Sequence, residues 1–300
     1  MRVYSSGDFK RDFLLFLQQN GIRCTESGDL LLFPDCRLAA TLVCMADFCP
    51  DGKNPKLDSP EFSALLEKLA LSGRYDDFMY LYEDRWFHDR WIRERILARL
   101  GRFRPVFARK CVLFSNSRII SDGTSGQLQD FLEKYHSYGS ARCKYRYALE
   151  YGGAMVAAAT FSSARKIVRE TASGEVEYNS YEWIRYASLP DCRVIGGMGR
   201  LLKAFLNDLR REGIYPVEIM SYSDNEWSRG AVYSSLGFRR VSERMAVEYY
   251  VGIESLERVS ARKLLKKEPL LEDTLASGSL PPGYLKIRNR GSAKFLLQLA

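Results

Sequence analysis

The stretch RYALEYGGAMVAAATFS at 146–162 constrains the fold more than any other part of the chain. It consists of two runs rich in apolar residues joined across Gly152-Gly153. Paired glycines accept the backbone of a tight reversal, so the stretch reads as a β-hairpin. A further strand is expected over YEWIRYASL at 181–189. It leads through 191–199 into a helix on which Leu201, Leu202, Phe205, Leu206 and Leu209 recur at helical spacing. A strand at 217–222, a short helix at 227–235 and an alternating strand through Met245, Val247, Tyr249 and Val251 follow. The order β-β-β-α-β-α-β predicts an α/β protein of the α+β kind, with mixed sheets and helices packed against them.

The first hundred residues read as a separate, smaller α/β unit. Residues 8–20 have helical apolar spacing and stop at Gly21, and strands are expected at 30–33 and 37–45 with Pro34-Asp35 as the turn. The loop DFCPDGKNPKLDSP at 47–60 is long enough to be functional. A helix over 60–72, a strand over 78–82 and a basic helix complete the unit. Residues 101–105 read as a linker, which sets domains at 1–104 and 105–252 and leaves 253–300 as a basic C-terminal extension containing a Pro-Pro-Gly turn.

A chain of 300 residues that is 46% hydrophobic and 27% charged excludes disorder and fibre, since it can bury a sizeable core. It has no uncharged apolar run of membrane-spanning length, and MRVYSSGDFKRDF lacks the apolar core of a secretory signal, so a cytoplasmic location is expected with no membrane partner. Seven cysteines without a repeated C-x-x-C pair, and only two histidines, read as reduced thiols rather than a zinc site.

The net charge of +8 is concentrated in residues 85–110, where nine basic residues stand against Asp89 and Glu94 to leave +7. Trp86, Trp91, Phe103 and Phe107 are interleaved with them. Guanidinium groups that meet phosphates, with rings that meet bases, make DNA a candidate partner through Arg95, Arg99, Arg102, Arg109 and Lys110. A solvated amphipathic helix with Ile92, Ile96, Leu97 and Leu100 on its apolar stripe is the alternative.

In VIGGMGRLL, Gly196, Gly197 and Gly199 lie between a strand and a helix start, with Arg200 next. Small residues there expose backbone N–H groups at the positive helix end, an arrangement that suits a pyrophosphate. A turn that merely needs glycine is the structural alternative. Together with SYSDNEWSRGAVYSSLGF at 221–238, this stretch resembles the second half of a GNAT acyltransferase. The resemblance implies acetyl-coenzyme A or another acyl-coenzyme A as cofactor, with Tyr233 as the acid that protonates the departing thiolate. The family's Q/R-x-x-G-x-G/A reads here as Arg193-Val194-Ile195-Gly196-Gly197-Met198, which fits in neither register completely.

The same region is similar to Mom-type DNA adenine modification proteins through Tyr222, Asp224, Trp227, Gly230, Ala231 and Tyr233, with Arg185-Tyr186 on an earlier strand. This implies a catalytic set in which Arg185 holds a phosphate or the acceptor, Asp224 orients or deprotonates an attacking amine, Tyr233 is the acid and Tyr222 stands beside them. Over nearly the whole chain, YLYEDRW, FARKC, FLEKYH, YEWIRY, VIGG, YSSLGF and GYLKIRNRG occur in the order found in phage homing-endonuclease-like proteins with a very-short-patch-repair type nuclease half.

That likeness implies magnesium held by Asp29 and Thr41 if the nuclease half is active, with Glu83 or Asp84 as a further carboxylate or as helix caps. His136, Glu182 and Glu226 are chemically able to act as bases, and Trp183 and Trp227 are able to stack on a base or to fill a core. Three functions remain open: a DNA-modifying acyltransferase, a magnesium-dependent endonuclease, and a DNA-binding module without chemistry.

Overall fold

A computed structural model describes residues 6–171 and 174–299. The chain divides into two compact units, the first made of Met1–Arg93, Ser223–Gly230 and Glu243–Ala293, the second of Glu94–Tyr222, Ala231–Ser242 and Lys294–Ala300. Both are discontinuous, so the three consecutive domains expected from the sequence are replaced by two that share the chain.

In the first unit, helix α1 (Ser6–Gln19) buries Phe9, Phe13 and Leu17, one residue per turn, and stops at Gly21 with φ 63°. Strands β1 (Thr25–Ser27), β2 (Leu30–Phe33) and β3 (Leu38–Val43) form an antiparallel meander. Helix α2 (Pro60–Leu71) begins where the Ser59 hydroxyl accepts the Phe62 N–H, and it carries the chain to β4 (Asp77–Tyr82), parallel to β3. The sheet order is β1-β2-β3-β4. The single basic helix expected next is two short ones, α3 (Glu83–His88) and α4 (Ile92–Arg99). The chain breaks at Asp89, whose carboxylate accepts the Trp91 N–H at 2.9 Å.

The second unit begins within α4 and continues into β5 (Arg104–Phe107), where a linker was expected. Next come β6 (Val112–Phe114), α5 (Asn116–Ser121), α6 (Ser125–Tyr135), then the hairpin β7 (Tyr145–Tyr151) and β8 (Ala154–Phe161), which turns at Gly152 and Gly153 with positive φ as its sequence requires. Strands β9 (Arg165–Thr171) and β10 (Gly174–Ser188) are antiparallel, and β11 (Cys192–Ile195) pairs in parallel with β5 from Cys192↔Arg104 to Ile195↔Phe107. Helix α7 (Gly197–Arg211), β12 (Val217–Asp224), α8 (Ala231–Ser235) and β13 (Arg239–Arg244) follow. The helix expected from residue 227 therefore begins only at Ala231.

The remaining elements are β14 (Glu248–Gly252), β15 (Arg258–Val259), α9 (Ala261–Lys267), α10 (Glu272–Ala276), β16 (Tyr284–Arg288) and β17 (Ser292–Leu299). They are not a separate extension. Strand β14 pairs with β15 and β16, and Val251 and Ile287 pack into the first unit's core with Leu30, Val43, Met45, Leu57, Phe62 and Tyr82. Strand β17 enters the eight-stranded sheet of order β13-β17-β12-β10-β8-β7-β6, with β9 on β10. That sheet's core is aromatic. Phe205 of α7 stacks on Phe161 at 4.0 Å and 11°, and receives the edges of Tyr145, Tyr147 and Tyr181.

Candidate active site

Strands β10 and β12 run parallel only from Asn179↔Val217 to Glu182↔Met220. Beyond Glu182, β10 stays with β8 through an irregularity between Trp183 and Arg185, and its ladder to β12 ends. A β-bulge bends a strand and re-aims it, and no rung joins β10 to β12 beyond Glu182↔Met220. The first group past the last rung is Ser221, whose hydroxyl donates to the Trp183 carbonyl at 3.1 Å instead of continuing the ladder. The Ser221 and Tyr233 hydroxyls share a hydrogen bond at 2.9 Å, and the Tyr233 hydroxyl also donates to the Tyr222 carbonyl at 3.4 Å. The Tyr233 ring stacks on Phe295 at 4.9 Å and meets Trp183 and Phe238 edge-on. Burial pushes the Tyr233 hydroxyl above its ordinary pKa, against a smaller opposite effect of the Ser221 bond, so it holds its proton at neutral pH. Ser221 was not among the residues singled out from the sequence. Its signal is the alternation Ser-Tyr-Ser-Asp, which places two small hydroxyls, those of Ser221 and Ser223, on one face of β12.

The glycine turn lies between β11 and α7. Gly196 is exposed with φ 75°, and the Arg200 N–H bonds the Gly196 carbonyl at 3.0 Å to close the first helical turn. The N–H groups of Gly197, Met198 and Gly199 precede that bond and have no acceptor within the helix. A Cβ at Gly197 would lie 2.9 and 3.0 Å from Val194 side-chain atoms and 3.2 Å from the Tyr186 hydroxyl. Glycine is thus required there by the packing of the turn itself, whatever the turn binds. The Arg200 guanidinium donates through Nη1 to the carbonyls of Ala108 and Cys111 and fastens α7 to the single turn Ala108–Lys110. Ala108 Cβ is 3.8 Å from where a Gly196 Cβ would stand, so the exposed Arg109 and Lys110 occupy the turn that borders the glycines.

The expected catalytic set does not assemble. On β12, Ser221 and Ser223 are buried, while Tyr222 and Asp224 alternate to the opposite face from the one that meets Tyr233. Asp224 belongs to the first unit, where its carboxylate accepts the Glu226 N–H at 2.9 Å. The Arg185 guanidinium donates to the carbonyls of Gly139 and Ile184, both at 2.9 Å, and so braces the bulge instead of facing a ligand. His136 accepts the Tyr138 N–H on Nδ1 and is pushed down to about 3 by burial and by the charges of Arg185 and Arg95; it stays neutral. Glu182 stands half-buried at the last rung before the strands part. Trp183 is core.

The basic stretch is likewise divided. Arg95 is half-buried and donates to the Tyr135 carbonyl at 2.7 Å, and Arg99 is half-buried, whereas Arg102, Arg109 and Lys110 are exposed. The five cations therefore do not form one solvent-facing row.

In the first unit, Asp29 lies in the turn before β2 with its side chain 57% exposed and its carboxylate paired to Lys56 at 2.7 Å. Thr41, 2% exposed, has a hydroxyl without a hydrogen-bond partner. Glu83 accepts the Met45 N–H, and Asp84 is bound bidentately by Arg258 at 2.7 and 2.8 Å, with Glu226 on the same guanidinium at 2.8 Å. Among the described residues no three His, Cys, Asp or Glu side chains come together to hold a metal. A carboxylate already neutralised by lysine, one hydroxyl and carboxylates committed elsewhere do not fit a magnesium site, so no hydrolytic step is derived.

No protein-family model matches the chain, and no curated protein matches it. Several solved structures are similar over part of it. A GNAT family acetyltransferase from Elizabethkingia anophelis with acetyl-CoA bound aligns with 63% of this chain and 99% of its own, at 10% identity and a TM-score of 0.31. The ribosomal-protein-S18-alanine N-acetyltransferase from Escherichia coli aligns with 63% and 94% at 13% identity and 0.33. Naa50 from Arabidopsis thaliana, in complex with a bisubstrate analogue, aligns with 63% and 98% at 13% identity and 0.34. At these scores the likeness carries no argument about substrate or mechanism. Among the described residues no helix is long and apolar enough to cross a membrane.

Proposed function

We propose that the second unit binds an acyl-coenzyme A and transfers the acyl group to an amine. The observation that carries this reading is the parting of β10 and β12 after Glu182↔Met220, with the protonated Tyr233 hydroxyl fixed at the opening by Ser221. An open cleft between parallel strands admits an extended chain along their free edges, and a helix start beside it receives a pyrophosphate. Bound acyl-coenzyme A supplies a thioester-activated acyl group. The N–H groups of Gly197, Met198 and Gly199 hold its pyrophosphate, and Arg109 and Lys110 add positive charge at the same turn. Glu182 pairs with Met220 and so shares the face of Tyr222 and Asp224, away from Tyr233; the proton of the acceptor amine is left to solvent. Tyr233 holds a proton at its hydroxyl oxygen for a departing thiolate, and its raised pKa makes it an acid, not a base, at neutral pH.

Replacing Tyr233 with Phe deletes the hydroxyl and keeps the ring stacked on Phe295. Release of free coenzyme A with a panel of primary amines, nucleobase amines included, is expected to slow by about 10² to 10⁴ in kcat while acetyl-coenzyme A affinity stays unchanged. Unchanged kcat would remove Tyr233 from the chemistry. The exposed Arg102, Arg109 and Lys110 favour a second reading, a DNA-binding module without acyl transfer. It takes first place if acetyl-coenzyme A fails to bind and duplex DNA binds with steep salt dependence.

A further inference from the structure

Two sequence segments are left unused by the acyltransferase reading: the loop before α2 and the Arg-Asn-Arg-Gly end of GYLKIRNRG. In the first unit they meet. Together with Tyr82 and Ala246 they enclose a cleft of about 290 Å³ lined by Phe48, Lys53, Asn54, Leu57 and Asp58 from the loop and by Arg288, Asn289 and Arg290.

Both asparagines are more than nine-tenths buried, at 3% and 7% exposed. Each has its side-chain oxygen fixed by backbone: Asn54 Oδ1 accepts the Leu57 N–H, and Asn289 Oδ1 accepts those of Val247 and Gly291. The oxygens are therefore assigned, and each Nδ2 has no hydrogen-bond partner among the described residues and is not sealed off from solvent. Two amide groups on residues that line one cleft, their oxygens already used and their N–H donors still open, are available to the acceptor oxygens of a ligand. Gly291 keeps the turn, because its φ is 67° and a Cβ would collide with the Arg244 carbonyl.

The charge around the amides points the same way. Lys53, Arg288 and Arg290 line the cleft against the single carboxylate of Asp58. Each cation holds one carboxylate: Lys53 with Asp51 at 2.9 Å, Arg288 with Glu248 at 2.9 Å, Arg290 with Asp58 at 2.8 Å. Those pairs fix the cations without consuming their remaining donors. The rest of the lining is apolar, with the half-buried Phe48 ring stacked on Tyr82 at 6.1 Å and Leu57 beside them. The volume lies near the lower limit of small-molecule sites, which is about 300 Å³, too small for a coenzyme and suited to one nucleotide.

We infer that this cleft binds a single nucleotide, its phosphate on the Asn54 and Asn289 amides with Lys53 and Arg290, and its base toward Phe48. The nucleotide is either free or one unit of a nucleic-acid strand. The site is independent of the acyltransferase reading.

The test uses the full chain with thymidine monophosphate and a short oligothymidylate. Wild-type protein is expected to bind the mononucleotide below about 1 mM, with the side-chain amide resonances of Asn54 and Asn289 shifted in ¹H–¹⁵N spectra. Asn289→Asp keeps the Oδ1 acceptor that holds the turn and replaces the donor by a carboxylate; affinity is expected to fall at least tenfold with the melting temperature retained. Lys53→Gln, at an exposed position, is expected to weaken binding several-fold. Tighter, salt-sensitive binding of the oligonucleotide identifies a strand as the natural source, and preference for the mononucleotide identifies a free nucleotide. Absence of binding by both probes at 1 mM, or affinities and amide shifts unchanged by both variants, would overturn the inference. Acetyl-coenzyme A affinity should be unaffected by either substitution, which separates failure of this site from failure of the acyltransferase proposal.

Discussion

The two units bury their interiors by different means. The second closes around rings, with Phe205 held by Phe161, Tyr145, Tyr147 and Tyr181, and its buried Glu218 is paired with Arg169, whose side chain is 37% exposed. The first, assembled from three separate stretches of chain, is joined by a buried ionic knot: Arg258, 5% exposed, binds Asp84 at 1% and Glu226 at 8%, with its guanidinium over the Tyr82 ring at 4.6 Å. Asp84 comes from the stretch before α4, Glu226 from the short excursion after β12, and Arg258 from the C-terminal stretch. Hydrophobic contact is non-directional, whereas a bidentate guanidinium accepts one geometry, so the knot specifies which three stretches belong together.

This contrast can be broken from either side. Arg258→Met leaves two buried carboxylates unpaired and is expected to cost about 3–5 kcal/mol. Native-state hydrogen exchange should show the loss in β3 and β4, with β7 and β8 retaining their protection. Phe205→Ala removes the central ring of the other core, also at about 3–5 kcal/mol, and should reverse the pattern. Protection that falls equally in both sheets for both variants would mean that the units unfold as one.

A smaller effect sharpens the contrast through pH. Glu226 is pushed up to about 6, chiefly by burial, so the folded first unit holds that proton more tightly than the unfolded chain does. Its stabilising contribution is complete below about pH 4.5 and is lost as pH rises through 6. His136 in the second unit works in the opposite sense. Its folded pKa of about 3 lies below the ordinary 6.5, so stability present at neutral pH is lost as pH falls from 6.5 toward 3. Comparing exchange in each unit between pH 4.5 and 6.5, Glu226→Gln should flatten only the first trend and His136→Gln only the second.

What was legible in the sequence follows from how local each signal is. The hairpin β7–β8, the helix α7 and the sites of the glycine turn were legible because periodicity and glycine placement are properties of neighbouring residues. Residues 101–105 misread as a linker because Gly101 and Pro105 are breakers in general, yet Pro105 is tolerated in β5, which among the described residues has β11 as its one partner strand. The candidate site was half legible. Tyr233 and the turn belong to the site proposed here, but Tyr222 and Asp224 were grouped with them through the likeness to Mom-type proteins, and strand alternation turns both away. Lys56 beside Asp29, Ser221 beside Tyr233, and the meeting of Asn54 with Asn289 are contacts between distant segments, which no local pattern encodes.

The central claim is that the start of α7 holds the pyrophosphate of an acyl-coenzyme A. Gly197→Val would not test it, because the added methyls strike Val194 and Tyr186 with or without ligand. Met198→Glu tests it directly: an acidic residue in the first turn favours the helix, while its charge stands where the phosphates would lie. Calorimetric titration with acetyl-coenzyme A is expected to give a dissociation constant below about 1 mM for the wild-type protein, which corresponds to about −4 kcal/mol, and at least a tenfold weaker one for Met198→Glu at unchanged melting temperature. No heat from the wild-type protein at that concentration, or equal affinity in the two proteins, would contradict the account.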